Sequence, residues 1–131
     1  HERNKHMDYI EKISRCYKGE ISLHSAYTGP KNKMIPEVIY SILSVSNGIT
    51  ETMLLPDTGE KAEIAWIIYS HDMILEWTEF YPENYHIKGT VFSDDGADSP
   101  FIIKPDGTIT CFNCIDNEET KVADTLLDFF P

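Results

Sequence analysis

Val91 to Cys114 reads VFSDDGADSPFIIKPDGTITCFNC, and the rest of the chain is organised around it. It divides into three short strands joined by two turns. Thr90 to Ser93 is rich in β-formers and stops at the acidic turn Asp94-Asp95-Gly96. Phe101-Ile102-Ile103 follows, and Lys104-Pro105-Asp106-Gly107 then turns the chain. Pro105 pre-sets φ at the second turn position, Asp106 tolerates the third, and Gly107 can take positive φ. Thr108 to Cys114, β-branched and aromatic throughout, runs back along Phe101 to Lys104 as a hairpin partner. A meander of this kind has two faces to cover, and the flanking segments read as the covers.

Upstream, Ile10, Ile13 and Tyr17 fall at helical spacing within Met7 to Lys18, and Gly19 is placed to end that helix. Glu20 to Lys33 has weak periodicity and a turn signal at Tyr27-Thr28-Gly29-Pro30. Ile35 to Ser46 predicts a helix with Pro36 in its first turn, an apolar face of Val38, Ile39, Ile42, Leu43 and Val45, and a stop at Asn47-Gly48. Thr52 to Leu55 predicts a short strand. Glu63 to Tyr69 predicts another that is apolar on both faces and therefore central. From Asp72 to Tyr81 the period turns helical, with Met73, Ile74, Trp77, Phe80 and Tyr81 as the buried set and Ser70 or Asp72 as the cap. Pro82-Glu83-Asn84 is expected to end it. The closing helix is expected from Asn117 to Phe130, because Val122, Leu126 and Phe130 align at i, i+4 and i+8 and Asp116 with Glu119 has capping-box spacing. The fold class this implies is α+β: an antiparallel sheet of four to six strands with helices from both chain ends packed against it. Residues 1–6 read as a tail or expression remnant and 7–131 as one domain, a number of domains that suits the length of 131 residues.

The charge narrows the partners. The formal net charge is −11. That argues against direct nucleic-acid binding, which needs a basic footprint. It suits either simple solubility or a basic protein partner, whose approach a negative surface accelerates. No apolar run approaches the length of a bilayer span and the amino end has no signal-peptide core, so no membrane association is expected. Three cysteines, Cys16, Cys111 and Cys114, are an odd number in a chain without an export signal, which places the protein in the reducing cytoplasm.

No catalytic or cofactor motif stands out. Cys111-Phe112-Asn113-Cys114 matches C-x-x-C, but a single pair without a second is a weak zinc signal. Residues three apart on a strand project to opposite faces, so two buried structural cysteines are the expectation. His1, His6, His24, His71 and His86 form no metal motif and are expected to face solvent. Asp94-Asp95-Gly96-Ala97-Asp98 lacks the closing glutamate of a calcium loop and reads as an acidic turn whose carboxylates bond their own backbone. Serine elbows, phosphate-cradling glycine loops and paired catalytic carboxylates are all missing. The chain reads as non-enzymatic, with no cofactor and no metal. Glu76, Glu79 and Glu83, near Asp94, Asp95 and Asp98 in sequence, form either a solvated face or one negative rim. Tyr81 and Tyr85 among them are either core or interface anchors.

The order of these signals resembles the SUKH superfamily, which includes fungal cell-wall-synthesis regulators and many bacterial toxin-immunity proteins. The features that carry it are the acidic glycine turn, the strand at Phe101, the Asp106-Gly107 turn, the next strand, and a closing helix that ends in Asp128-Phe129-Phe130. Upstream, Ile35-Pro36-Glu37 opening a helix that stops at Ser46-Asn47-Gly48 is similar to the family's first strong motif. The resemblance runs from Met34 to Phe130 and leaves Glu20 to Lys33 unplaced. It implies a non-catalytic protein-binding domain, most often one that neutralises a toxin, commonly a nuclease, by docking over its working surface. The partner expected is then a toxin domain with a basic surface, met through Asp94, Asp95, Asp98, Glu76, Glu79, Glu83, Tyr81 and Tyr85, and the protein itself is expected as a monomer or weak homodimer. The fungal branch supplies the alternative, a cytoplasmic regulator or scaffold with no toxin partner.

Overall fold

The computed structural model describes residues 2–97 and 99–131, with side chains from residue 9 onward. His1 and Asp98 lie outside the described residues, as do the side chains of residues 2–8, including His6. In chain order the elements are α1 (Glu2–Cys16), β1 (Ile21–Leu23), α2 (Glu37–Leu43), β2 (Ile49–Leu54), β3 (Lys61–Ile68), α3 (His71–Tyr85), β4 (Thr90–Asp94), β5 (Pro100–Ile103), β6 (Ile109–Asn113), β7 (Glu118–Ala123) and α4 (Leu126–Phe129). The fold is α+β. Its strands form two antiparallel sheets, β1-β2-β3 and β4-β5-β6-β7, where the sequence suggested a single one.

The meander is present as read. Val91 pairs with Ile102 and Ile103 with Ile109, and the Pro105-Asp106-Gly107 turn joins β5 to β6 with Gly107 at φ 93°. Gly89, just ahead of it, sits at φ 126° with the backbone so close to Ile102 that a Cβ would lie 2.6 Å from that side chain. Eight isoleucines (13, 39, 42, 49, 68, 74, 102 and 109) are 0% exposed, drawn from α1, α2, α3 and both sheets. Their β-branched side chains have few rotamers to lose on burial, and each contributes about 1.5–3 kcal/mol on leaving water.

Three expectations need correction. The closing helix from Asn117 to Phe130 is instead an edge strand followed by a single turn of helix. Asn117 takes φ 55° and turns the chain back on itself, so that Glu118 to Ala123 pairs with β6. The one-turn α4 is capped by Thr125, whose hydroxyl accepts from the Asp128 amide. β7 is exposed along almost its whole length, so it lacks the alternation that marks a strand, and the ladder with β6 decides its conformation.

Pro82 lies inside α3 rather than ending it. It has no amide to donate to the Thr78 carbonyl, yet Trp77, Tyr81 and Tyr85 continue as one packed stripe past it. The helix stops only at His86, φ 58°, whose amide returns to the Pro82 carbonyl. Finally, β3 is not central: it lies at the edge of its sheet, and Ile64 is 51% exposed. Its apolar character on both faces is used only at its carboxyl end, where Ile67, Ile68 and Tyr69 enter the core.

That end is also where the two sheets meet. The Tyr69 amide donates to the Phe92 carbonyl at 2.8 Å, joining the chain just after β3 to β4. The Asn47-Gly48 stop serves the same region. Gly48, at φ 93°, passes so close to Trp66 that a Cβ would stand 2.6 Å from its ring. The Asn47 side-chain oxygen accepts from the His71 amide at 2.8 Å, satisfying one of the first amides of α3.

Candidate functional site: an aromatic and acidic surface

α3 positions most of the expected site residues. Ser70 caps it, its hydroxyl accepting from the Met73 amide. At 3.6 residues per turn, Trp77, Tyr81 and Tyr85 share a face with the buried Ile74 and Thr78, whereas Glu76, Glu79 and Glu83 share the opposite face with Asp72. Burial agrees with that division: all four carboxylates are exposed and the three aromatics are half-buried. The structure therefore separates the glutamates from the tyrosines by the thickness of the helix.

The tyrosines are set among groups from two other strands. Tyr81 and Tyr85 stack with ring centres 5.7 Å apart, and Tyr85 lies 5.1 Å from Phe112 of β6. Phe80, 42% exposed, meets Tyr81 edge to face at 5.1 Å and carries the aromatic cluster out to the surface. Burial, the neighbouring Cys114 thiol, to which it is hydrogen-bonded, and the nearby Tyr85 and Asp94 push the Tyr81 phenol up to about 12. Tyr81 thus stays neutral, bonded to Cys114 of the β6–β7 turn and within reach of the Asp94 charge at the end of β4.

Asp94, at the end of β4, is occupied on both oxygens. The Tyr69 hydroxyl donates to Oδ2 at 2.5 Å, and the Gly96 amide donates to Oδ1 at 2.7 Å. Asp95 accepts from the Ala97 amide at 2.9 Å and the Ser99 amide at 3.3 Å. Both carboxylates close the acidic turn on its own backbone, as the sequence suggested. Asp95 remains exposed, and Asp94 is half-buried. Burial first, then the bond to Asp94, raises the Tyr69 phenol far above its ordinary value. Asp94, Asp95, Tyr81 and Tyr85 are accordingly brought into one region, with Tyr69 and Cys114, neither of which the sequence singled out for this site. Tyr69 and Asp94 stand at the ends of strands in different sheets, and no spacing in the sequence announces that meeting.

The cysteines depart from expectation in burial, and β6 ends at Asn113, between Cys111 and Cys114. Cys111 is opposite Phe101 in the β5–β6 ladder, while Cys114 contacts Tyr81 of α3. Both are half-buried rather than buried, and Cys16 is exposed; all three are free thiols. Burial and then Asp95 raise the Cys111 thiol against the pull of its bond from Ser99.

The histidines correct a second expectation. His71 is only 5% exposed. Its ring stacks on Tyr27 at 3.8 Å and 12°, and Nε2 lies 3.0 Å from the Tyr40 hydroxyl, which also accepts from the Asn32 amide. His24 stacks on Trp66 at 5.5 Å and meets the Thr50 hydroxyl at 3.2 Å. These contacts pin down the stretch from Glu20 to Lys33 that carries no motif. Among the described residues no group of three or more His, Cys, Asp or Glu side chains is placed to hold a metal ion, and no helix is long and apolar enough to cross a membrane.

Comparison of the chain with protein-family models, curated proteins and solved structures finds no match in any of the three. Fold and surface together define the class: an acidic α+β domain whose third helix and second sheet present an aromatic cluster beside an acidic turn.

Proposed function

We propose that this chain is a non-catalytic protein-binding domain of the SUKH kind, which neutralises a cognate toxin by docking over its working surface. The observation that carries this reading is the stacked Phe80, Tyr81 and Tyr85 cluster, with Tyr81 close enough to Asp94 to feel its charge, beside a turn closed by Asp94 and Asp95 on their own backbone. Aromatic side chains of this kind supply large contact area at low entropic cost, and carboxylates beside them steer a basic partner and fix its register. The turn is held by its own hydrogen bonds, so little ordering is left to be done on binding. The mechanism is occlusion and electrostatic steering, with no bond made or broken.

The test is an affinity pull-down of the tagged protein from lysate of its own cells at low and moderate salt, with mass spectrometry of what is retained. A single basic partner carrying a nuclease-like or other toxin domain, released as salt rises, is the expected result. A salt-insensitive set of partners, or none, sinks the toxin reading and moves the chain to the regulatory branch of the resemblance.

A further inference from the structure

Of the ten large apolar side chains that stand exposed among the described residues, Met53, Leu54, Leu55 and Ile64 belong to one hairpin, and Leu23 of β1 belongs to the same sheet. Every residue from 53 to 61 is exposed, so the distal half of β2–β3 projects from the body of the domain. The hairpin is nonetheless closed to its tip. The ladder continues to the Leu54–Lys61 pair, the Leu55 amide donates to the Glu60 carbonyl at 2.8 Å, and the Gly59 amide donates to the Leu55 carbonyl at 2.8 Å. Several large apolar side chains on an ordered projection mark an interaction surface, whereas scattered single ones would not.

We propose that this hairpin is a docking arm for a cationic protein partner that offers it an apolar cleft. The choice of occupant follows from charge. Between residues 51 and 64 stand four carboxylates, Glu51, Asp57, Glu60 and Glu63, against the single Lys61. A second copy of the chain would bring this negative arm against another molecule of net charge −11, at an electrostatic cost. A partner with basic groups around the cleft gains from the same carboxylates, and the closed ladder means the arm arrives already ordered. The inference rests on the reading of the chain as a protein-binding domain, and it adds a contact surface on the first sheet, distinct from α3 and the Asp94-Asp95 turn.

The experiment places the photo-crosslinker p-benzoylphenylalanine at Leu54, at Ile64 and, as a control, at exposed Lys33, in the full chain exposed to lysate of its own cells. In parallel, a Leu54→Asp, Ile64→Asp variant is compared with wild type for retention of the partner, with circular dichroism confirming the fold. The expected result is one basic protein crosslinked from 54 and 64 but not from 33, with the peptide joined to the arm mapping to an apolar cleft flanked by lysine or arginine. The double variant should bind it at least about tenfold more weakly. A crosslink to a second copy of the chain, with a dimer seen by light scattering, overturns the choice of occupant. If wild type and the double variant retain the same partner equally and no crosslink forms from the arm, the arm is not a docking surface although the protein-binding reading stands. If wild type retains nothing, that reading fails and the arm proposal with it.

Discussion

The Tyr69 hydroxyl donates a 2.5 Å hydrogen bond to the Asp94 carboxylate across the line where the two sheets meet. Beside it, the Tyr69 amide bonds the Phe92 carbonyl, so one residue ties its own strand end to β4 through both main chain and side chain. Asp94 is therefore a structural residue first. Whatever it gives to a partner, it gives as a carboxylate already held in place.

Removing that hydroxyl tests the assignment. Tyr69→Phe keeps the ring and deletes the donor to a charged acceptor, and is expected to cost about 1.5–3 kcal/mol in urea unfolding with an unchanged m-value. An unchanged midpoint would mean that the hydroxyl bond to Asp94 adds nothing to the junction between the two sheets.

Charge changes at the expected site residues should fall into two groups. Asp94→Asn weakens the bonds from Tyr69 and Gly96 and is expected to destabilise by about 1–3 kcal/mol. Glu76→Lys, Glu79→Lys and Glu83→Lys, on the outer face of α3, should each stay within about 0.5 kcal/mol. Thermal melts of the four variants side by side decide it, and a similar loss in all four would refute the separation of the two groups.

The phenols set the alkaline limit. Burial leads the causes that raise both Tyr69 and Tyr81, the latter to about 12, whereas an unfolded tyrosine ionises near about 10. Between those values the native state holds protons that the unfolded chain has released. Their contribution is thus complete below pH of about 10 and is lost as pH rises through the folded values. Urea midpoints should fall above that pH, and less steeply in a Tyr69→Phe, Tyr81→Phe double variant.

The acid limb has a counterpart in Glu119. Burial works to raise its carboxyl, but the hydrogen bonds from Lys104 and Thr110 outweigh it and hold the group below its ordinary range. The Lys104 ammonium stands 2.7 Å from it and the Thr110 hydroxyl 2.6 Å. A lowered value means stability that is present above the unfolded pKa and lost as pH falls through the folded one. Glu119→Gln should therefore flatten the decline of stability at acid pH; an identical decline would assign it to other carboxylates.

His71→Ala should loosen a defined part of the chain. It removes a buried ring from between Tyr27 and Tyr40, at an expected cost of about 2–3 kcal/mol. Amide exchange should accelerate from residue 24 to 35 before it does in β4 to β6. Uniform acceleration would show that His71 supports the whole core and not that stretch.

The sequence by itself determined the elements whose signals are local. The Pro105-Asp106-Gly107 turn, the three strands around it, the Ser70 cap and the self-bonded acidic turn each rest on residues within a few positions of one another, and each is found where it was read. What local signals could not settle, tertiary contacts decided. Val122, Leu126 and Phe130 have helical spacing, but β7 holds only the first of them and is exposed, and only the ladder with β6 makes it a strand. The only early hint was Asp116-Asn117, a pair that tolerates the positive φ a hairpin turn needs. Pro82 would end an isolated helix, yet the stripe through Tyr85 packs on Phe112 and carries the helix past it. His71 and Tyr40, 31 residues apart, and Tyr69 and Asp94, 25 apart, meet because the chain has already folded. Such pairs leave no periodic trace in a sequence, since their energy comes from burial and geometry that exist only once both sheets are in place.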